Sequence, residues 1–243
     1  MSSGCVLCDD NEPSQWEWPC CSLCAFDYKD LNEEEDYALQ VLDKIKPRFS
    51  VWRENQQTKN QQLPELQPAR VLPDLPLYIG DIDDAADVEN LISLGIGCVV
   101  NLCADKIHLW EYQQLPMQLA EAGIHQHIMY AIDREYFPII NVAEHVADAI
   151  AASLSRPKKN GVLIHCYAGK NRSAAVMIHF LTTRKKVPLV TAIQIVMRKR
   201  GTILTNKGFR LQLVRHCLKN GLQLMEEPIG QKKNCRICQR RRR

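Results

Sequence analysis

The sequence predicts an α/β fold with a mainly parallel central sheet flanked by helices. Four short apolar runs have the length of buried strands, namely residues 77–79, 96–102, 124–129 and 162–164. Between and after these runs the apolar residues recur at helical spacing, as in the series Val142, Val146, Ile150 and Leu154. Strands that alternate with helices pair in parallel, and such sheets bind ligands at the carboxyl ends of their strands.

Composition and charge are ordinary for a soluble globular protein. The chain has 243 residues, of which 46% are hydrophobic and 24% charged, and its net charge is +3. This length accommodates one full domain with about a hundred residues of attached segments. No run approaches the ~20 apolar residues of a membrane span, and the first residues lack the apolar core of a signal peptide. We therefore expect no transmembrane segment and a reducing, cytoplasmic and/or nuclear setting.

Four segments are predicted along the chain: a cysteine-rich N-terminal segment (1–30), a helix with a linker (31–68), the α/β domain (69–228) and a basic tail (229–243).

The second of these segments begins with a predicted helix at residues 31–46. Asn32 and Glu35 have capping-box spacing at its start, and Pro47 ends it. We expect its apolar stripe to pack on the α/β domain. Residues 56–68, rich in Gln, Asn and Pro, are typical of a linker.

The strongest chemical signal is the stretch of residues 165–173, which reads His-Cys-Tyr-Ala-Gly-Lys-Asn-Arg-Ser. It puts Cys166 at the end of a predicted strand and Arg172 at the start of a predicted helix. The backbone N–H groups between them can curl inward, where the helix N-terminus and the guanidinium add positive charge. Such a cradle holds a phosphate group against the cysteine sulfur.

The same surroundings activate the thiol. A cysteine at a helix N-terminus beside cations titrates at roughly pH 3.5–7.5, so we expect Cys166 to be a thiolate that attacks phosphorus directly. Arg172 and the loop N–H groups would stabilise the charge on the phosphoryl group in flight. Ser173 could donate a hydrogen bond to the sulfur and help it leave when water cleaves the phosphocysteine.

This stretch resembles the signature loop of the cysteine-dependent protein tyrosine phosphatases, Cys-x5-Arg-Ser/Thr, and the surrounding chain is similar to the small dual-specificity phosphatases. Residues 77–80, 99–103 and 187–206 support the resemblance, which covers roughly residues 70–225. It implies hydrolysis of phosphotyrosine and phosphoserine/threonine in proteins, with no metal in catalysis. The implied substrate-binding residues are Tyr167, Ala168, Gly169, Lys170, Asn171 and Arg172.

The resemblance also implies a general acid and two supporting residues. Asp133, between a predicted strand and helix, matches the family's acid position, and Asp105 is the alternative. His165 is expected to order the loop by hydrogen bonding without transferring a proton. Asn206 either braces the loop from behind or caps the last helix.

Substrate class remains open at Lys170. Lys170 lies inside the loop, and in this respect the loop resembles that of lipid phosphatases similar to the phosphatase-and-tensin homologue. Lys170 could equally point to solvent at the rim. A phosphoinositide or an RNA 5′ end is therefore an alternative to phosphoproteins. An alternative of another class is a phosphate-binding scaffold without turnover.

Cys103 occupies a position similar to the cysteine that pairs with the nucleophile of that lipid phosphatase on oxidation. We hypothesise a reversible Cys103–Cys166 disulfide that protects the nucleophile from irreversible oxidation. The alternative is that Cys103 is a core cysteine like Cys98.

The N-terminal segment carries Cys5-x2-Cys8 and Cys21-x2-Cys24, which have the spacing of a structural zinc site. Cys20 is an alternative ligand, and Cys235 with Cys238 could complete a site with one of these pairs. The competing interpretations are free thiols and S-acylation of Cys20 and Cys21.

The tail ends in the basic run Arg240 to Arg243, preceded by further basic residues. Such a run is typical of a solvated end. It could also contact RNA or an anionic membrane, or act as a nuclear signal.

Overall fold

The computed structural model describes residues 32–43, 68–104, 112–158 and 160–225. Its sheet has five strands in the order β1-β2-β5-β3-β4, and only the β1–β2 pair is antiparallel. This confirms the predicted α/β class with a mainly parallel sheet. The strands are β1 (Ala69–Leu72), β2 (Leu75–Gly80), β3 (Ile96–Asn101), β4 (His125–Ile128) and β5 (Gly161–His165).

Helices cover both faces of the sheet. A first helix, α1, spans residues 33–43. The others are α2 (Ile82–Ala86), α3 (Val88–Ser93), α4 (Leu115–Glu121), α5 (Ile139–Leu154), α6 (Arg172–Arg184), α7 (Leu189–Arg200) and α8 (Lys207–Lys219).

The two central strands, β3 and β5, divide the core into two halves. Val100 and Ile164 point into the larger half, which contains residues of α5 to α8. Their neighbours Val99 and Leu163 point into the smaller half, which contains residues of α2, α3 and α4. Successive strand residues face opposite sides, so a strand covered on both faces must be apolar throughout. This is why β3 and β5 were recognisable as apolar runs.

Strand β1 was not predicted. It lies at the sheet edge, and within its sequence Ala-Arg-Val-Leu only Val71 is buried. This short strand buries little side-chain surface, so its sequence carries neither an apolar run nor a clear alternation. Its pairing with β2 therefore depends on tertiary structure and could not be predicted from its own sequence pattern.

Helix α1 packs on the α/β domain, as its apolar stripe predicted. Ala38 and Leu42 belong to the larger core half. Asn32 Oδ1 accepts the backbone N–H of Glu35 at 2.9 Å, which caps the helix as expected. The Glu35 carboxylate is bound by the guanidinium of Arg215 on α8, with its closest contact at 3.0 Å, so this part of the predicted box has become an ion pair between helices.

Several predicted features lie outside the described residues. They are the N-terminal cysteines Cys5, Cys8, Cys20, Cys21 and Cys24, the pair Cys235 and Cys238, the alternative acid Asp105, nearly all of the linker, and the basic tail. Within the described ranges, no helix is long and apolar enough to cross a membrane.

Candidate active site

The predicted nucleophile lies between the end of β5 and the start of α6. Cys166 is 2% exposed, and its Sγ is 3.3 Å from the hydroxyl oxygen of Ser173, which is fully buried. The helix begins at Arg172, so its N-terminus points towards the loop that follows the cysteine. The structure thus brings together the cysteine, the serine and a helix N-terminus as the sequence predicted.

Gly169 allows the loop to turn back on itself. Its φ of 65° lies in the left-handed region, and a Cβ there would be 2.3 Å from Arg200 Nη2 and 2.8 Å from the carbonyl oxygen of Gly80. A side chain is therefore excluded both by backbone conformation and by contact. The loop is also held by its carbonyls, because Ile82 donates to Tyr167 O and Leu204 donates to Lys170 O.

The loop N–H groups are available to a ligand. Among the residues that the structure describes, the backbone N–H groups of residues 167–171 donate no hydrogen bond to another protein group. Backbone N–H groups that cluster at a helix N-terminus form an anion site, and their desolvation is costly unless an acceptor is bound. The unbonded N–H groups next to the start of α6 are therefore consistent with the predicted phosphate cradle.

Arg172 is fixed beside this cradle. Its side chain is buried, and Nη1 donates to the carbonyl oxygens of Leu102, at 3.1 Å, and Ala131, at 2.9 Å. These two carbonyls follow β3 and β4, so the arginine ties together the carboxyl ends of neighbouring strands. The guanidinium is thereby oriented before a ligand arrives.

Asp133, the predicted acid, is held by two asparagine side chains. Its Oδ2 accepts from Asn171 Nδ2 at 3.0 Å, and its Oδ1 accepts from Asn206 Nδ2 at 2.8 Å. Asn171 immediately precedes Arg172 in the loop, so the aspartate is tied directly to the cradle although its side chain is exposed.

Both alternatives for Asn206 hold at once. Its Oδ1 accepts the backbone N–H of Phe209 at 3.1 Å, which caps α8, while its amide nitrogen binds Asp133. Asn171 Oδ1 in turn accepts the backbone N–H of Thr205 at 2.8 Å and that of Asn206 at 3.3 Å. The loop, the acid and the start of α8 are therefore one hydrogen-bonded unit.

His165 lies at the end of β5 and is fully buried. Burial is the main cause that lowers its pKa to about 4, so the ring is neutral at pH 7. The ring lies close to the Cys166 backbone, but neither nitrogen forms a well-aligned hydrogen bond within the part of the chain that the structure describes. The contact places the ring at the start of the loop, and ordering of the loop by His165 stays a prediction.

Sequence reasoning missed a buried ionic support beneath Gly169. Arg200, at the end of α7, donates to Asp81 Oδ2 at 2.9 Å and to Asp84 Oδ2 at 3.1 Å. The two aspartates also cap each other's backbone N–H groups at the start of α2. Desolvation by burial, with the neighbouring charge of Asp81, raises the pKa of Asp84 to about 6. The Asp-x2-Asp spacing after a strand was the available signal.

The structure also shows the exposed residues of the loop and the location of Cys103. Lys170, Tyr167 and Ala168 are exposed at the rim. Cys103 is fully buried, and its N–H donates to Asn101 Oδ1 at 2.9 Å at the end of β3. Cys98 lies deeper on β3, where burial raises the pKa of its thiol.

Comparison with protein families identifies one matching domain. Residues 77–217 match the family model described as "Dual specificity phosphatase, catalytic domain". The match includes most of β2, all of β3 to β5, the loop, Asp133 and Asn206.

Curated relatives carry similar names. Human dual specificity protein phosphatase 13B is 37% identical over 139 residues, which are 56% of this chain and 67% of that protein. The mouse protein of that name is 33% identical over 141 residues, which are 56% of this chain and 67% of that protein. Human dual specificity protein phosphatase 9 is 30% identical over 153 residues, which are 60% of this chain but only 35% of that protein.

Solved structures share the fold. A mouse putative dual specificity phosphatase, crystallised as a complex with zinc tungstate, has a TM-score of 0.54 at 23% identity, covering 69% of this chain and 98% of that one. The human tyrosine phosphatase-like serine/threonine/tyrosine-interacting protein has a TM-score of 0.53 at 23% identity, covering 64% of this chain and 99% of that one.

Proposed function

The chain belongs to the dual specificity phosphatase family, and on that premise we propose that it hydrolyses phosphotyrosine and phosphoserine or phosphothreonine in proteins. One observation carries the proposal. The Cys166 sulfur, 3.3 Å from Ser173 Oγ, lies at the base of a loop whose N–H groups are available and whose Arg172 is already oriented. An N–H cradle with a guanidinium beside a buried thiol suits phosphoryl transfer to sulfur.

The first step transfers the phosphoryl group to sulfur. The thiolate of Cys166 attacks phosphorus, an S–P bond forms, and the bond from phosphorus to the ester oxygen breaks. Asp133 gives its proton to that oxygen, so the alcohol or phenol leaves neutral. Arg172 and the loop N–H groups stabilise the equatorial oxygens of the phosphoryl group throughout.

The second step regenerates the enzyme. The Asp133 carboxylate accepts a proton from a water molecule, whose oxygen attacks phosphorus. The S–P bond breaks, inorganic phosphate forms, and the electron pair returns to Cys166. A hydrogen bond from Ser173 to the sulfur favours this departure, because it stabilises the developing thiolate.

Protein substrates are supported by the surface around the site. Tyr130, Tyr136 and Tyr167 are 55%, 52% and 48% exposed, and they belong to the two loops that carry Asp133 and Cys166. Exposed aromatic side chains are typical of surfaces that bind peptides. Lys170 is exposed, which supports a position at the rim and weakens the case for a phosphoinositide or RNA 5′ end.

The decisive experiment traps the intermediate on the full chain. Mixing with ³²P-labelled phosphopeptide and rapid acid quench should yield a labelled phosphocysteine, which is absent in Cys166→Ser. Parallel assays with phosphoinositides and RNA 5′-triphosphate should give a lower kcat/KM than the phosphopeptides do. Faster turnover of either alternative would overturn the protein substrate but retain the phosphocysteine chemistry.

A binding scaffold is the rival of another class, since the same cradle would bind a phosphorylated partner without turnover. Phosphopeptide binding by the unmodified chain with neither labelled intermediate nor phosphate release would favour the scaffold.

We further propose that Cys103 protects the nucleophile. Peroxide converts the Cys166 thiolate to a sulfenic acid, the Cys103 thiol attacks its sulfur, and water leaves as the disulfide forms. The location of Cys103 at the end of β3, one residue after the carbonyl that binds Arg172, supports this proximity.

We also propose a cytoplasmic or nuclear location for the protein. Two further proposals concern the segments outside the described residues. Cys5, Cys8, Cys21 and Cys24 would bind one structural zinc ion, which metal analysis of the purified chain tests. The basic tail would contact RNA or an anionic membrane, and removal of residues 229–243 should then weaken binding to RNA or to phosphatidylserine vesicles.

A further inference from the structure

A cavity of about 360 Å³ opens on the helical side of the molecule, between α5, α6 and α8. None of its lining residues belongs to the candidate active site. Three of them carry groups that bind metals, namely Glu144 on α5, His179 on α6 and His216 on α8.

The three side chains converge. One ligand atom from each lies within 4.8 Å of the others. His216 Nδ1 is 3.5 Å from Glu144 Oε1, and the two imidazole rings have centroids 4.6 Å apart. Nitrogen and oxygen ligands of a tetrahedral zinc ion lie about 3.4 Å from each other, so shifts of about 1 Å would complete the geometry.

His179 supplies the independent sign of a ligand. It is 2% exposed, and neither ring nitrogen has a hydrogen-bond partner among the described residues. A buried polar group without a partner is costly, and native structures rarely retain one without a purpose. A metal ion that takes the lone pair of this ring would remove the cost.

The charges in the cavity are compatible with a cation. A neutral imidazole ring offers one nitrogen lone pair to a metal ion, and His179 and His216 supply two such rings. Glu144 contributes a negative charge. Of the two cations in the lining, Arg184 is paired with Asp148 and Lys186 opposes a bound ion.

We propose that Glu144, His179 and His216 bind a divalent transition-metal ion of the zinc class. Two imidazoles and a carboxylate are ligands that suit Zn²⁺, and the fourth position would face the open cavity. The ion would join three helices, and two of them begin at the active site, since α6 begins at Arg172 and α8 follows Asn206. His179 lies seven residues after Arg172, about 10 Å along the helix, so the ion would act as a structural tie.

The test compares metal binding by variants of the full chain. Glu144→Gln removes the charge from a side chain that is 58% exposed, so the fold should survive, and His216→Gln removes an imidazole. The matched control is His145→Gln, because this exposed histidine is the next residue on α5. Zinc bound by the N-terminal cysteines or by Cys166 would be the same in the wild type and the three variants. It therefore does not contribute to the difference in stoichiometry between them.

The readouts are equilibrium dialysis with Zn²⁺, absorption with Co²⁺, and thermal unfolding. Wild type and His145→Gln should bind one more equivalent of metal than the other two, and Zn²⁺ should raise their Tm by a larger amount. The Co²⁺ difference spectrum should contain d–d bands without thiolate charge transfer. Equal stoichiometry and an equal Tm shift in all four proteins would overturn the site.

Discussion

The amide nitrogen of Asn171 lies 3.0 Å from Oδ2 of Asp133 and joins the phosphate-binding loop to the predicted general acid. The other carboxylate oxygen is bound by Asn206 at 2.8 Å. An exposed aspartate on a loop would otherwise sample many orientations. The two amides restrict it, so that proton donation and phosphate binding share one rigid frame.

Asn171→Ala should reduce proton delivery more than phosphate binding. The substitution removes the hydrogen bond to Asp133 and also those that Thr205 and Asn206 donate to Asn171 Oδ1. Loss of the bond to Asp133 alone, worth about 1 kcal/mol, predicts roughly a fivefold fall in kcat/KM. The fall should be largest for aryl phosphates with poor leaving groups and small for p-nitrophenyl phosphate. Asn141→Ala, an exposed asparagine on α5, is the control. An equal fall for all leaving groups would contradict a positioning role.

Asp133→Asn should remove the general acid itself. The rate with poor leaving groups should fall by about 10²–10⁴, and the limb of the pH profile that reports the acid should disappear. Activity on a substrate with a good leaving group should largely persist. Glu135→Gln changes an exposed carboxylate of the same loop and should leave the profile intact. A retained limb in Asp133→Asn would assign the acid to another residue, with Asp105 first in line.

Ser173→Ala should slow breakdown of the phosphocysteine. Its hydroxyl is 3.3 Å from the Cys166 sulfur, and losing this contact should lower kcat by about tenfold. Labelled intermediate should accumulate after a burst, because the first step is less affected than the second. Ser155→Ala, at an exposed serine, is the matched control. If the labelled phosphocysteine does not accumulate in Ser173→Ala, Ser173 has no role in the second step.

The ionic support under Gly169 predicts a pH-dependent stability. The pKa of Asp84 is raised from 3.8 to about 6, so between these values the folded state binds a proton that the unfolded state has released. The contribution of this group to stability is therefore present at low pH and lost as pH rises through about 6. Urea unfolding should show that wild type loses stability relative to Asp84→Asn between pH 4 and 6. Asp83 is an exposed neighbour, so the free energy of unfolding of Asp83→Asn should follow that of the wild type across this pH range. If the difference in free energy of unfolding between Asp84→Asn and wild type stays constant from pH 4 to 6, the raised pKa of Asp84 is refuted.

Cys103→Ser should make oxidation irreversible. After brief peroxide treatment, dithiothreitol should restore most activity of the wild type and much less of the variant, because its sulfenic acid proceeds to higher oxides. Peptide mapping should find the Cys103–Cys166 disulfide in the wild type. The control is Cys98→Ser, because Cys98 is a buried cysteine on β3, the strand that precedes Cys103, and this variant should recover like the wild type. Recovery of Cys103→Ser equal to that of the wild type would remove Cys103 from redox protection.

The loop and the central strands were predictable from sequence because their information is local. Cys166, Arg172 and Ser173 fall within eight consecutive residues, and strand, loop and helix follow one another there. The apolar runs of β3 and β5 report burial on both faces. Gly169 was noticed as part of the loop, but its close approach to Arg200 was not.

By itself the sequence determined the α/β class and the Cys-x5-Arg loop between a strand and a helix, since local spacing encodes which residues share a strand end or a helix face. Asp133 as the general acid stays a prediction, which came from its place before a helix and from the family resemblance. Only the tertiary structure decided that Asn171 binds Asp133, that Arg200 binds Asp84 across 116 residues of sequence, and that Glu144, His179 and His216 meet. These contacts are formed by the strand order β1-β2-β5-β3-β4 and by helix packing, which depend on the whole core. No periodic pattern in the sequence indicates them.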